Sequence, residues 1–222
     1  MINKENKDSV EHMFKKIKIN YAEDYHAMVE NIGNKYLYLI RESNINFFSD
    51  DKEDRIAFLF FVTLQYMRTK RRRNETIRAF ENDNIGMQKI WPIMAHIYAT
   101  NIAMSLHLDK AYQLILLTNN TNIKFITADQ PLINTYGVNN KKELTQNELE
   151  FYYPITPKLS ILITRDIQNV KNIVIDDEIE ITKYNNMMID SSEEQVYAST
   201  QEQLSGYLKR IKGLREILDS RC

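Results

Sequence analysis

One cysteine, Cys222, is present among 222 residues. A lone thiol excludes an internal disulfide and leaves no thiolate cage for a metal, so a reducing, cytoplasmic setting is expected. Glycine is scarce as well, at 5, and no GxGxxG, P-loop or GxSxG pattern occurs, which argues against nucleotide-binding loops and hydrolase elbows. HExxH is missing too, and His96 and His107 stand eleven residues apart. That is about three helical turns, the same face but too far apart for one metal. Neither sign of charge is in excess: 29 basic and 30 acidic side chains give a formal net charge of -1. Attraction to a polyanion must therefore come from local clustering. No apolar run reaches the roughly 18 residues of a membrane span, and the charged first twenty residues hold no signal-peptide core, so no membrane role is expected.

What is present is enough apolar residue, 43%, to bury a large core. The pattern predicts one domain over 1–222, helical to about residue 110 and sheet-containing from about 111. A helix is expected over 21–41, where apolar residues recur at Ala27, Met28, Ile32, Tyr36, Leu39 and Ile40 and Gly33 is an interruption. Asp50 and Glu53 have capping-box spacing ahead of an apolar face of Ile56, Leu59, Phe60, Thr63 and Met67. A third helix is expected over 85–108, with Pro92 in its first turn or at a kink.

Beyond residue 110 the period shortens. QLILLT and IKFIT flank a turn-like NNTN, the pattern of a hairpin. Strands are expected over 149–153 and 159–164 and at IVI and IEI around Asp176-Asp177, and helices over 184–197 and 201–218. The fold class is α+β: N-terminal helices packed on a central, mostly antiparallel sheet, then C-terminal helices. The polar stretch from Asn134 to Asn147 reads as a loop or lid.

Two places carry chemistry. Basic charge concentrates in QYMRTKRRRNE, where Arg68, Lys70, Arg71, Arg72 and Arg73 are placed near the C-terminal end of the capped helix. Gln65, Arg68, Thr69 and Arg72 would share one helical face, and two arginines there would clamp a phosphate or carboxylate. Cations at a helix C-terminus are also favoured by its dipole, a reading that needs no ligand. The second place is KFITADQPLIN. Pro131 stops a ladder just after Asp129, which puts an acid at a strand end, a position suited to metal binding or general-base work and equally to an ordinary Asx-turn. Ser191-Ser192-Glu193-Glu194 reads as a surface turn or cap.

The order QYMRT, KFITADQPLI, FYYPITPKLSILIT, YNNMMIDSSEEQVYAS resembles the bacterial domain-of-unknown-function family numbered four-two-three-eight, also found in mobile elements, over about residues 20 to 208. The resemblance places the family's motif positions on Gln65, Arg68, Thr69, Asp129, Pro131, Pro154, Pro157, Asn185 and Tyr197, and its upstream acid on Glu30. Ala128 and Gln130 stand where the family has Ser and Asn, and the His-Phe-Ile-Pro block of longer members is missing. On that basis Asp129 and Glu30 are expected to face Arg68 across a polar cleft, as acid and base or holding a divalent Mg or Mn ion. Arg68 and Arg72 would hold a phosphate. A buried Arg68–Asp129 ion pair joining the two halves is the structural alternative.

Two function classes follow. One is a nuclease-like, nucleic-acid-processing effector in a defence or toxin context, cutting with Asp129 and Glu30 and gripping phosphates with Arg68, Arg71 and Arg72. The other is a non-catalytic module that recognises RNA, an acidic protein or a partner chain through the Arg68–Arg73 basic helix end.

Overall fold

The strand QLILLTN is apolar on successive residues because it is covered on both faces. In the computed structural model, β1 (Gln113–Asn119) lies inside a five-stranded sheet of order β3-β4-β5-β1-β6. It pairs antiparallel with β5 (Leu159–Thr164) and parallel with β6 (Asn172–Ile175). β4 (Phe151–Thr156) continues on β5, and the short β3 (Ile133–Asn134) closes that side, so the sheet is mixed but mostly antiparallel. Two residues, Thr127–Ala128 (β2), pair with Val196–Tyr197 (β7) in a separate ribbon. The structure describes residues 27–50, 52–82, 86–139 and 149–219, with side chains except at 50, at 139 and beyond 213.

Side chains of the sheet alternate between two cores. Leu114, Leu116, Phe151, Ile161 and Ile163 face a cluster built by the N-terminal helices. Ile115, Leu117, Tyr152 and Leu162 face one built by C-terminal elements. The first layer contains a helix over 27–41 (α1), Phe47–Asp50 (α2), Lys52–Met67 (α3), Lys70–Ala79 (α4) and Met87–Leu108 (α5). The opposite layer is centred on Glu178–Ser191 (α7), on which Gln201–Asp219 (α8) packs. The α+β order of helices, sheet, helices is as expected.

α5 lies against α3 through Ala95, Ala99 and Ala103, all buried, whose small side chains allow close approach. Thr63 on α3 is buried there, and its hydroxyl donates to Ala99 O at 2.9 Å and Leu59 O at 2.9 Å. Arg55 anchors the far end of this pair. Its Nη2 donates to Leu106 O (3.1 Å), Asp109 O (3.3 Å) and Tyr112 O (3.1 Å), and its guanidinium lies 4.5 Å from the Phe48 ring centroid. A buried cation thus satisfies the last carbonyls of α5 and the entry to β1, while desolvation pulls its pKa down.

Several local expectations are corrected. IKFIT does not return as a hairpin, because both edges of β1 are taken by β5 and β6. Asn119 organises the turn instead, accepting from Thr121 N (2.8 Å) and donating to Ile123 O (2.7 Å). IEI is not a strand but the first turn of α7, capped by Asp177, whose carboxylate accepts from Ile179 N at 2.8 Å. Pro92 stands inside α5, six positions in, and the helix continues past it. Of the expected loop from Asn134, the first part forms β3 and the short helix Thr135–Asn139 (α6), and the remainder lies outside the described residues, as does the side chain of the expected cap Asp50.

Candidate functional site

The basic run does not end a helix; it begins one. α3 stops at Met67, Thr69 adopts extended backbone (φ -70°, ψ 150°), and α4 starts at Lys70. Thr69 Oγ1 turns back to Tyr66 O at 3.0 Å, which satisfies a carbonyl at the end of α3. Gln65, Arg68, Thr69 and Arg72 therefore share no continuous helical face. The reversal changes the electrostatics as well. Lys70, Arg71, Arg72 and Arg73 crowd the positive end of the α4 dipole, where cations are disfavoured and anions attracted.

Nearby acids offset part of this charge. Lys70 pairs with Glu194, and that hydrogen bond raises the lysine pKa. Arg71 Nε binds Glu75 Oε1 at 2.9 Å, and its Nη1 reaches Asp190 O at the end of α7 at 2.8 Å. Arg72 Nη1 lies 3.0 Å from Glu75 Oε2, and its guanidinium is 4.8 Å from the Tyr66 ring centroid. One carboxylate thus serves two arginines. Among the described residues, the exposed Arg68 forms no ion pair and the Arg73 guanidinium finds only Asn74 Oδ1, at 3.4 Å.

Asp129 follows β2 directly. Its Oδ1 accepts from Glu193 N at 3.0 Å and its Oδ2 from Glu194 N at 2.7 Å, while its own N–H donates to Gln195 O at 3.0 Å. The Asp129 carboxylate thereby clamps the turn between α7 and β7, and the β2–β7 pairing runs on from it. Gln130 is buried, its amide donating to Leu132 O at 3.3 Å, and Pro131 ends the segment. Three stretches far apart in sequence, 68–74, 127–130 and 190–197, meet here.

Glu30 is exposed on α1, and among the described residues no hydrogen bond or ion pair joins it to Asp129 or to Arg68. Arg68 and Asp129 form no ion pair either; the Asp129 charge adds, behind Glu194 and Glu193, to what raises the Lys70 pKa. Gln65 is half-buried on α3. Among the described residues no group of three His, Cys, Asp or Glu side chains converges as a metal site.

The residues that complete the junction are ones to which the sequence reading gave no chemistry. Glu193 and Glu194 look like a surface turn, and their available signal was complementarity to the basic run. Asn185 is buried on α7 and accepts from Ile126 N (3.1 Å) while donating to Lys124 O (2.8 Å) and to Tyr207 Oη (3.0 Å). It thereby holds the chain entering β2. Beyond β2, a groove of about 260 Å³ opens between Thr127, Pro154, Pro157 and Tyr197. Tyr197, one of its lining rings, is half exposed and follows Glu194 by three residues.

The family model described as a protein of unknown function (DUF4238) matches residues 2–202. No curated protein and no solved structure matches the chain.

Proposed function

The chain belongs to the DUF4238 family of proteins of unknown function, and since membership brings no reaction with it, we propose from the geometry alone that the protein binds a single-stranded nucleic acid through the α3–α4 junction. The observation that carries this reading is the start of α4, where four consecutive cations stand at the positive end of a helix dipole and, among the described residues, ion pairs reach Lys70, Arg71 and Arg72 but not Arg73. Among the described residues, Arg68 and Arg73 are the two cations of the run 68–73 without a carboxylate partner, and a backbone phosphate would supply the missing charge. The exposed Tyr197 ring at the nearby groove offers a stacking platform. Binding is favoured over phosphodiester cleavage by Asp129 and Glu30 because both Asp129 oxygens are engaged by backbone N–H groups.

The test is fluorescence anisotropy with a labelled oligouridylate over a salt series. Arg68→Ala and Arg73→Ala should each weaken binding and reduce the salt slope by about 0.7, the single-strand value per phosphate contact. Salt-independent binding, or none by the wild type, would remove this reading. Binding only to an acidic protein competitor would move the assignment to the protein class.

A further inference from the structure

The groove beside Tyr197 ends at a pair of like charges. It runs lengthwise between residues 125–127 and residues 154–157, and Phe125 N donates to Pro157 O at 3.0 Å where the two segments meet. Lys124 and Lys158, the next residue of each segment beyond that bond, therefore stand opposite each other. Like charges directly opposite on neighbouring extended segments repel, and neither lysine forms an ion pair among the described residues. Contact with the Lys124 amine, and after it loss of water, pulls the Lys158 pKa down. That is the reverse of what the Glu194 carboxylate does to Lys70. The pair is also fixed in place: Lys158 Nζ donates to Thr121 O, and the Lys124 carbonyl accepts from both Asn185 Nδ2 and Gln203 Nε2. Two cations held together at the end of a groove ask for an anion.

The groove and the charge together narrow the anion. The walls are apolar, with Pro154 and Pro157 on one side and the Tyr197 ring, 48% exposed, on the other. A volume of about 260 Å³ suits one planar ring rather than a longer segment. Two adjacent ammonium groups match a dianion: a phosphodiester inside a strand carries one negative charge, whereas a terminal phosphate monoester carries about 1.5 to 2 at neutral pH. We propose that the groove and the Lys124–Lys158 pair hold the phosphorylated end of a nucleic-acid strand, its last base beside Tyr197 and its terminal phosphate between the two lysines. The inference rests on the single-strand reading for the kind of anion and adds a preference for a strand end to it. The two places lie within reach of one short strand, since Lys124 is five residues from Asp129 at the α3–α4 junction, at most about 18 Å of chain.

Fluorescence anisotropy tests it with oligouridylates that carry either a phosphate or a hydroxyl at the 5′ or the 3′ end and a label at the other end, with circular dichroism confirming the fold of each variant. Wild type should bind one of the phosphorylated strands roughly fivefold more tightly than its hydroxyl counterpart, in line with two exposed ion pairs. Lys124→Gln and Lys158→Gln should each lose most of that preference and still bind the hydroxyl strand as wild type does. Arg68→Ala should instead weaken both strands and keep the preference, which separates the strand end from the phosphates at the α3–α4 junction. No preference in the wild type overturns the proposal, and so does a preference that survives both lysine variants. Calorimetry with uridine 5′-monophosphate covers a wild type that binds no strand. Lysine-dependent binding of the mononucleotide would then overturn the strand end as occupant, together with the single-strand reading, in favour of a free nucleotide. Binding of neither overturns the pocket as well.

Discussion

Asp129 Oδ2 accepts the backbone N–H of Glu194 at 2.7 Å, so the acid that the sequence marks as a reactive group closes a turn. With Oδ1 held by Glu193 N, both oxygens act as a double cap on the segment leaving α7. Asp129→Asn keeps one acceptor and sets an NH₂ against the other backbone N–H. The expected cost is roughly 1 to 3 kcal/mol, read as a lower urea midpoint at unchanged slope. Manganese discriminates the alternative: if the cap is the whole role, adding the ion changes wild type and variant alike. Stabilisation of the wild type alone would make Asp129 a ligand.

Asn185 should be more sensitive than its single side chain suggests. Its amide serves Ile126 N, Lys124 O and Tyr207 Oη at once, in a fully buried position. Asn185→Ala strands the buried Ile126 N–H and takes one of two donors from Lys124 O, the other being Gln203 Nε2, and is expected to cost roughly 2 to 3 kcal/mol, whereas Tyr207→Phe removes one hydrogen bond, about 1 kcal/mol. Chemical denaturation of both variants checks the ranking. Equal losses would mean that the backbone contacts contribute nothing beyond the tyrosine.

Stability should fall in acid partly through Asp54. Its Oδ1 accepts from Lys35 Nζ and from Tyr36 Oη, each at 2.7 Å, and these bonds, Lys35 first, hold its pKa below the ordinary 3.8. A depressed folded-state pKa means that the unfolded chain takes up the proton first as pH falls. The contribution is therefore complete above the ordinary value and is lost as pH drops through the folded value. Asp54→Asn should lie below wild type in melting temperature at pH 6, and the gap should close below pH 3.8. A gap independent of pH would show that the carboxylate charge plays no part.

How much of this was legible depended on whether the signal was local. The periodicity of α3 and α5 placed both helices, and the shorter apolar runs placed β1, β4 and β5, because burial on one or both faces writes itself into neighbouring residues. The break at Thr69 was not legible: no Gly or Pro marks it, and good helix formers continue on either side. The N-terminus of α7 was hidden because IVIDDEIEI alternates like two strands, while its deciding feature is a capping bond from Asp177. Arg55 gave no sign of its role, since its three carbonyl partners are more than 50 residues away. The candidate site fared likewise. Asp129 and the basic run were found individually, but the acids that join them, Glu193 and Glu194, are tertiary partners.

Gly33 shows the same limit in one residue. By spacing alone it is a weak point in α1, and Gly→Ala in a helix ordinarily gains up to about 1 kcal/mol. Here a Cβ would lie 2.1 Å from Phe61 Cε2 and 2.4 Å from Cδ2, and Phe61 is buried among the residues of the helical core, so the ring has little room to withdraw. Overpacking of this kind costs typically 1 to 3 kcal/mol, enough to outweigh the propensity gain. Gly33→Ala is therefore expected to destabilise, and Phe61→Leu, itself a loss, should relieve it. In a double-mutant cycle the pair should be more stable than the sum of the singles. A stabilising Gly33→Ala, or strict additivity with Phe61→Leu, would show that α1 and α3 can separate enough to admit a methyl group, and would remove close approach as the reason for glycine at this position.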